Sequence, residues 1–219
     1  FLFFYILCVT FYYRNEKNVT MENFPIVMSK ANGELAKLTH DTTIFENGSL
    51  KQIIEIIKTN IEEKPPIFFL NSGKGCNSKC NNLEDFLYNV SFYTTWIGGF
   101  SLWKEDREGI RNNLYACDKY LWQVPIIINA VIKHNKGLVI REKLFSINAD
   151  MSKRVGAYNN SLYTIFYDNY FSLLDEIFDK YPISNKCYKW LKKDLLFHFF
   201  SNWLVLYTLY SPKPREKPS

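Results

Sequence analysis

The chain has 219 residues, an apolar fraction of 47% and a charged fraction of 22%, so it can bury a substantial core and is not of the disordered class. Its net charge of +5 fits an anionic ligand or a membrane surface but is too small to indicate a nucleic-acid-binding protein. The five cysteines are spread without a disulfide framework, so we expect reduced thiols and a cytoplasmic protein.

The chain opens on an apolar stretch that predicts a buried strand over residues 8–13. The whole stretch is shorter than the roughly 20 residues that cross a bilayer. A polar turn leads from it to a short helix over residues 24–30. The sequence does not begin with Met, so we expect either a piece of a longer protein or a truncated product.

Next, a short strand over 35–38 ends at His40 and Asp41, and an amphipathic helix over 49–60 and an apolar strand over 67–70 follow. The order strand, helix, strand, helix, strand indicates an α/β sheet with crossover connections. Ligands of such sheets bind at the carboxyl ends of the strands, which is where Asp41 lies.

The second half of the sequence predicts mostly helices. The predicted elements are a loop over 71–82, a helix over 83–93, a helix over 114–133 broken near Pro125, a strand over 137–144 and an aromatic-rich helix over 156–178. The strand ends in the basic residues Arg141 and Lys143. Together with Arg154, these cations either face phosphates or are simply solvated.

The last predicted helix covers residues 186–210 and precedes a disordered tail over 211–219. Its lysines and its aromatic residues fit a helix that lies on an anionic membrane. A helix packed on the sheet with its lysines in water fits equally well.

An ordered series of motifs, spread over most of residues 10–180, resembles family-two glycosyltransferases of the GT-A fold. The matching residues of the first part are Arg14, Asn15, Asn18, Asn23, Ala31, Gly33, Glu34, Asp41, Ile44, Phe45, Gly48 and Leu50. The segments Thr95–Gly99, Leu121–Pro125 and Gly156–Tyr158 are similar to the acceptor half of abequosyltransferase-like members, which build bacterial surface polysaccharides.

The resemblance implies an inverting transfer of a sugar from a nucleotide-sugar donor to a lipid-linked or polysaccharide acceptor. It implies a Mg²⁺ or Mn²⁺ ion on an acidic cluster, which neutralises the leaving diphosphate. In this chain the cluster has become Asp41-Thr42-Thr43, with His40 before it, so one carboxylate remains. Asp41 is therefore either a residual metal ligand or a turn residue that caps a backbone amide. For His40, a partly exposed turn histidine is favoured over a metal-ligand role.

The resemblance also implies roles for several later residues. Asp118 or Asp85 would be the catalytic base, and each has the alternative of an acid near the start of a helix. Trp96 would stack on a sugar, or else pack in the core. Gln123 would bind the acceptor, or else be a buried amide that bonds the backbone. Arg141 and Arg154 would contact the acceptor side of the site.

We therefore predict an α/β fold, with a partial GT-A-like (Rossmann-like) sheet flanked by helices. A truncated GT-A-like domain over 1–180 would be followed by an amphipathic helix over 181–210 and a disordered tail over 211–219. The family's opening strand–helix–strand, which binds the nucleotide base, has no counterpart here. We expect an incomplete glycosyltransferase, cytoplasmic or peripheral on the cytoplasmic face of the membrane. The alternatives are an inactive remnant or binding subunit that keeps the acceptor half, and an unrelated α/β binding module.

Overall fold

The computed structural model of the chain describes residues 22–39, 43–108, 110, 115–147 and 161–210, and it has a mixed α/β fold. The strands are β1 (Leu35–Lys37), β2 (Thr43–Phe45), β3 (Ile67–Phe69), β4 (Ser78–Cys80), β5 (Ser101–Trp103), β6 (Gly137–Ile140) and β7 (Phe145–Ile147). The α-helices before residue 180 are α1 (Asn23–Lys30), α2 (Ser49–Asn60), α3 (Leu83–Val90), α4 (Lys104–Arg107), α5 (Gln123–His134) and α6 (Tyr170–Phe178). A 3₁₀ helix (Ser91–Thr95) follows α3, and a π-helical segment (Thr164–Asn169) precedes α6.

Most of the strands form one layer. β3 pairs in parallel with β6, and β4 pairs antiparallel with the other side of β6. β5 pairs antiparallel with β1, and an antiparallel bridge between Phe68 and Phe100 connects β5 to β3. The order is therefore β1–β5–β3–β6–β4, in which β1, β3 and β6 share one direction. Their carboxyl ends lie at the same edge of the layer, which we call the carboxyl edge.

The remaining strands, β2 and β7, form a separate antiparallel ribbon in which Phe45 pairs with Phe145. β2 follows the end of β1 in the chain, and β7 follows the end of β6. Because both strands that precede the ribbon end at the carboxyl edge, the ribbon lies at that edge.

Successive side chains of the central strand enter two different apolar clusters. Ile67 and Phe69 pack in a cluster that includes Ile53 and Ile57 of α2. Phe68, which points to the other face, packs in a larger cluster with side chains of α3, α5, α6 and the last helix. This alternation is the two-residue period of a strand that is buried on both faces. The layer therefore has α2 on one face and the later helices on the other.

The last helix extends over residues 185–210, with a π-helical segment (Leu195–Phe200) between two α-helical parts, and we call it the C-terminal helix. It runs alongside α3 in the same direction. At its start, the Oγ of Ser184 donates to Oε2 of Glu84 at 2.8 Å. Further along, the Oγ of Ser91 donates to Oδ2 of Asp194 at 2.5 Å. Since α3 runs toward the carboxyl edge, residues 195–210 continue beyond that edge.

Several predicted elements are confirmed. The helix predicted over 49–60 is α2, which begins directly after Gly48, whose φ of 79° favours glycine. The strand predicted over 67–70 is β3, and its residues are almost completely buried. The predicted helix over 83–93 is α3 with the 3₁₀ helix that follows it.

Other predictions are wrong or remain untested. The predicted loop over 71–82 contains β4, and antiparallel pairs interrupt the expected series of crossovers. α5 begins at Gln123, so Pro125 lies in its first turn, where the missing N–H breaks no helical hydrogen bond. The predicted break near Pro125 is thus the start of the helix. The strand predicted over 8–13 lies outside the described residues.

A buried guanidinium joins the turn before β1 to the end of β5. Arg107 is 6% exposed, and its Nη1 donates to the backbone oxygen of Leu102 at 2.9 Å. Its Nη2 donates to the oxygens of Ala31, at 3.1 Å, and Gly33, at 2.5 Å. One buried side chain therefore binds three backbone carbonyl groups.

Replacement of Arg107 by methionine should lower the free energy of unfolding by about 2 kcal/mol, because the buried oxygen of Leu102 loses its donor while the other two carbonyls can be hydrated. Urea denaturation measures this change. Lys104→Met, an exposed position on the same short helix, is the matched control and should change stability by less than about 0.5 kcal/mol. Equal effects of the two variants would contradict the role given to Arg107.

Candidate functional site

Four loop segments meet at the carboxyl edge. Residues 38 and 39 follow β1, residues 70–77 follow β3, and residues 141–144 follow β6. Residues 96–99 precede the antiparallel β5 and therefore reach the same edge. Open α/β sheets bind ligands at an edge of this kind. The carboxyl edge is therefore the candidate site.

Three of the predicted site residues, His40, Asp41 and Arg154, lie outside the described residues. In the chain, His40 and Asp41 fall between β1 and β2, both of which border the carboxyl edge. The donor set of this segment is one carboxylate, one imidazole and two threonine hydroxyls. Mg²⁺ commonly takes one or two carboxylates together with substrate phosphates. The set therefore fits a cation that shares its coordination with a diphosphate.

Lys37, the last residue of β1, places its amine among aromatic rings at this edge. Nζ lies 4.7 Å from the ring centroid of Phe145 and 5.2 Å from that of Phe69. It donates hydrogen bonds to the backbone oxygens of Leu38, at 3.2 Å, and Gly98. Burial lowers the pKa of the Lys37 amine from 10.5 to about 7. An amine that loses its proton near neutral pH is therefore part of the candidate site.

Trp96 lies beside the same rings, half-buried, with its centroid 5.8 Å from that of Phe145. Gln123 is 1% exposed, and its Nε2 donates to the backbone oxygen of Thr95 at 2.5 Å. Gln123 thus holds the turn that carries Trp96, which is the buried-amide alternative, and it does not face solvent. Its Oε1 has no hydrogen-bond partner in the described part of the chain. The half-buried ring of Trp96 is compatible with both packing and stacking.

Asparagine side chains fix the loops after β3 and β6 to each other. Oδ1 of Asn71 accepts from the backbone N–H groups of Leu144, at 2.7 Å, and Phe145, at 3.0 Å. Oδ1 of Asn77 accepts from the backbone N–H of Arg141 at 2.8 Å. These bonds replace ladder pairing where the strands have ended, so the loops form a defined surface.

The predicted strand over 137–144 ends at Ile140, which puts the basic residues that follow into the loop. Nη2 of Arg141 donates to Oδ1 of Asn89 at 2.8 Å, so the guanidinium is engaged within the protein. Lys74 and Lys143, on the two loops, are exposed, and Glu142 accepts from Asn77. Lys74 and Lys143 are therefore better placed than Arg141 to meet an anionic ligand.

Asp118 is exposed in the segment between the 3₁₀ turn Tyr115–Cys117 and α5. Gln123, at the start of α5, bonds Thr95, which directly precedes the loop 96–99 of the carboxyl edge. The segment with Asp118 therefore lies toward the same end of the molecule. The next residue, Lys119, binds Oε1 of Glu176 at 2.5 Å. Asp118 thus has the exposure that a proton acceptor requires.

Asp85 lies at the opposite edge, at the start of α3. α3 follows Cys80, the end of β4, which pairs with Gly137, the first residue of β6. Oδ2 of Asp85 accepts from the backbone N–H of Asn81 at 3.2 Å, and Oδ1 of Asn82 accepts from the N–H of Asp85 at 2.9 Å. These are helix-capping bonds, so the contacts of Asp85 match its structural alternative.

Sequence reasoning missed a cluster at this opposite edge, formed by Glu105, Asp106 and His134. Nε2 of His134 lies 3.0 Å from Oδ1 of Asp106 and 3.8 Å from Oε1 of Glu105. Lys133 pairs with Asp106 at 2.8 Å, and Lys64 pairs with Glu105 at 3.3 Å. Each carboxylate already has a cationic partner, so the arrangement is explained as an ion-pair network that joins α4 to α5. No local sequence pattern links these two helices.

A second unpredicted contact set, Ser91, Asp194 and His198, contains the residue types of a hydrolytic triad. Here Asp194 lies in the middle: Oγ of Ser91 bonds Oδ2 at 2.5 Å, and Nδ1 of His198 lies 2.7 Å from Oδ1. A nucleophilic serine needs the imidazole, not the carboxylate, as its direct partner. This set therefore fastens the C-terminal helix and does not activate Ser91.

Comparisons with models of protein families, with curated proteins and with solved structures found no match to this chain. In the described ranges, no helix has both the length and the hydropathy that crossing a bilayer requires. The residues at the carboxyl edge are therefore the basis on which a function can be inferred.

Proposed function

We propose that the chain is a glycosyltransferase that moves a sugar from a nucleotide-sugar donor to a lipid-linked or polysaccharide acceptor. The observation that supports it is the position of the segments that carry the resemblance. Trp96 and Arg141, which are distant in the sequence, both belong to the carboxyl edge, and in the chain His40 and Asp41 fall between β1 and β2, which border this edge. An α/β sheet with a GT-A-like arrangement would bind its donor there.

The proposed transfer requires a base that accepts the proton of the acceptor hydroxyl. A carboxylate at Asp118 takes the proton of the acceptor hydroxyl, and the hydroxyl oxygen attacks the anomeric carbon as the bond to the diphosphate breaks. In-line attack inverts the anomeric centre, and the electron pair leaves with the diphosphate. Asp85 is engaged in capping α3 at the opposite edge, so Asp118 is the better candidate for this role.

Other residues of the edge would orient the reactants. The ring of Trp96 offers an apolar face on which a sugar can stack. Lys74, Lys143 and, by the resemblance, Arg154 would contact phosphates. A divalent cation would be held by Asp41 and would neutralise the charge of the leaving diphosphate. His40 is a further candidate ligand in the same segment.

Calorimetric titration with uridine or thymidine diphosphate in the presence of Mn²⁺ tests the proposal. Asp41→Ala should weaken binding at least tenfold, which is about 1.4 kcal/mol, because the cation loses its carboxylate. Asp118→Asn is the matched control: it should leave nucleotide affinity unchanged and abolish transfer. Equal affinities of the wild type and Asp41→Ala would remove Asp41 from the site.

The second candidate function is a catalytically inactive remnant or binding subunit that keeps the acceptor half. The single acid among residues 41–43 favours it, since the metal site has lost most of its charge. Acceptor glycan binding without any nucleotide binding would support this candidate. Transfer activity that depends on Asp118 would exclude it.

A further inference from the structure

The C-terminal helix exposes a large apolar surface where it passes the carboxyl edge. Up to Leu195 one side of the helix is buried in the larger apolar cluster, with Cys187 and Leu191. Beyond that point Phe199 and Phe200 still pack against the cluster, while other apolar side chains are exposed. The exposed ones are Leu196 (41%), Phe197 (63%), Leu204 (66%), Val205 (57%) and Leu209 (69%). A contiguous exposed apolar surface is commonly a site of interaction, so a partner is expected for this side of residues 195–210.

Basic residues flank this apolar stretch in the sequence. No lysine, arginine or acid occurs between Asp194 and Ser211 in the sequence. Basic residues precede and follow this stretch in the sequence, and two further lysines are exposed on loops of the carboxyl edge. They are Lys192 and Lys193 before it, Lys213, Arg215 and Lys217 after it, and Lys74 and Lys143 on the loops.

We propose that residues 195–210 dock on the surface of an anionic phospholipid bilayer and turn the carboxyl edge toward it. Leu204, Val205 and Leu209 would enter the acyl boundary, and the flanking cations would meet the headgroups. The segment is roughly 24 Å long at about 1.5 Å per residue, which is less than the ~30 Å hydrocarbon core. It therefore rests in the interface and does not span it.

The basic residues that flank the apolar stretch favour a bilayer over a second copy of the chain as the partner of this helix. In a symmetric dimer through this helix, the lysines of both copies would be brought together, because the contact surface would be the same on each. Lys192 and Lys193 would then face their equivalents or the basic loops, at an electrostatic cost. A negatively charged lipid surface instead compensates all of these charges at once.

The docking goes beyond the proposed function, because it depends on neither a nucleotide nor a sugar. If both are correct, the docked orientation presents the site to an acceptor that is anchored in the same bilayer. Binding to vesicles is measured without donor or acceptor, so its failure and the failure of the transferase proposal are separate outcomes.

Co-sedimentation with lipid vesicles tests the proposal. The protein should bind vesicles of phosphatidylcholine with 30% phosphatidylglycerol at least tenfold more tightly than pure phosphatidylcholine vesicles. The double variant Leu204→Asp, Leu209→Asp should lose at least tenfold in this affinity. Both positions are exposed, so the fold is not at risk. Ile61→Asp, an apolar-to-acid change at an exposed position after α2, is the matched control and should bind like the wild type.

Cys76 is an exposed free thiol on the loop after β3, so a fluorophore attached to it reports how the docked protein is oriented on the bilayer. In a Cys8→Ser background, a fluorophore on Cys76 should be quenched by spin-labelled headgroups when vesicles are added. Binding without quenching would overturn the proposed orientation. Absence of vesicle binding, or a stable dimer that the double variant dissociates, would overturn the docking itself.

Discussion

Replacement of Gly99 by alanine should lower the free energy of unfolding by about 3 kcal/mol. A Cβ at this position would lie 2.8 Å from Cε1 of Phe68, closer still to Cζ of the same ring, and 3.0 Å from Cε3 of Trp96. The ring of Phe68 is completely buried between β5 and α3, so it cannot move aside without displacing the core.

The backbone of Gly99 is equally constrained. Its oxygen accepts from the N–H of Phe69 at 2.6 Å, which is the bond that brings the loop before β5 against the end of β3. A shift of the loop would therefore break a contact of the candidate site as well as the packing. Gly99→Ala should displace Trp96 and change its fluorescence even where the protein remains folded.

Chemical denaturation of Gly99→Ala and of a matched control, Gly33→Ala, measures the effect. A Cβ at Gly33 would meet nothing nearer than the backbone oxygen of Leu35, at 3.6 Å, which is an ordinary contact. The control should stay within about 1 kcal/mol of the wild type. If the two variants are equally stable, the close approach of Phe68 to Gly99 is refuted.

The second large effect is a pH dependence caused by Lys37. Burial lowers the pKa of its amine from 10.5 to about 7, so between these values the unfolded chain binds a proton that the folded protein does not. Stability contributed by this residue therefore rises with pH across the interval, by about 1.4 kcal/mol per pH unit, and is constant below pH 7.

Lys37→Met removes the titration, since methionine fills the same space beside Phe69 and Phe145 without a charge. The wild type should gain stability relative to this variant by several kcal/mol between pH 7 and pH 10. Burial raises the pKa of Cys80, Cys117 and Cys187 from 9.0 to about 11. Above pH 9 these thiols ionise first in the unfolded chain, which lowers the stability of the folded protein and opposes the gain. Both proteins share these thiols, so their contribution cancels in the difference.

Urea denaturation at pH 7, 8.5 and 10 measures this difference. Lys51→Met, at an exposed lysine of α2, should show a constant difference from the wild type at all three values. A constant difference for Lys37→Met as well would show that its amine is charged and solvated in the folded protein.

Local patterns predicted the elements whose environment is uniform along their length. α2 repeats isoleucine on the side that packs on the sheet, and β3 is apolar throughout because both of its faces are covered. β4, by contrast, lies in a stretch rich in Gly, Asn and Ser, and it is a strand because β6 supplies the pairing. Such pairing between distant segments has no signature in a single sequence.

The residues of the candidate site also divide into those that the sequence predicted and those that only the fold reveals. Trp96 and Arg141 were predicted from the resemblance, and they reach one edge only because β1, β3 and β6 share a direction. Lys37 was not singled out, because an isolated lysine in a short strand is usually solvated. What distinguishes it is the pair of rings at Phe69 and Phe145, which the fold alone brings beside its amine.

Three hydrogen bonds tie the C-terminal helix to the region of α3, so the helix cannot move independently of that region. Glu84 accepts from both the N–H and the Oγ of Ser184, and Ser91 donates to Asp194, while Phe199 still packs against the larger apolar cluster. Ser91 is the first residue of the 3₁₀ helix that precedes Trp96, and its φ of 49° is one that few residues other than glycine adopt. We therefore expect a displacement of the C-terminal helix to be coupled to the position of Trp96.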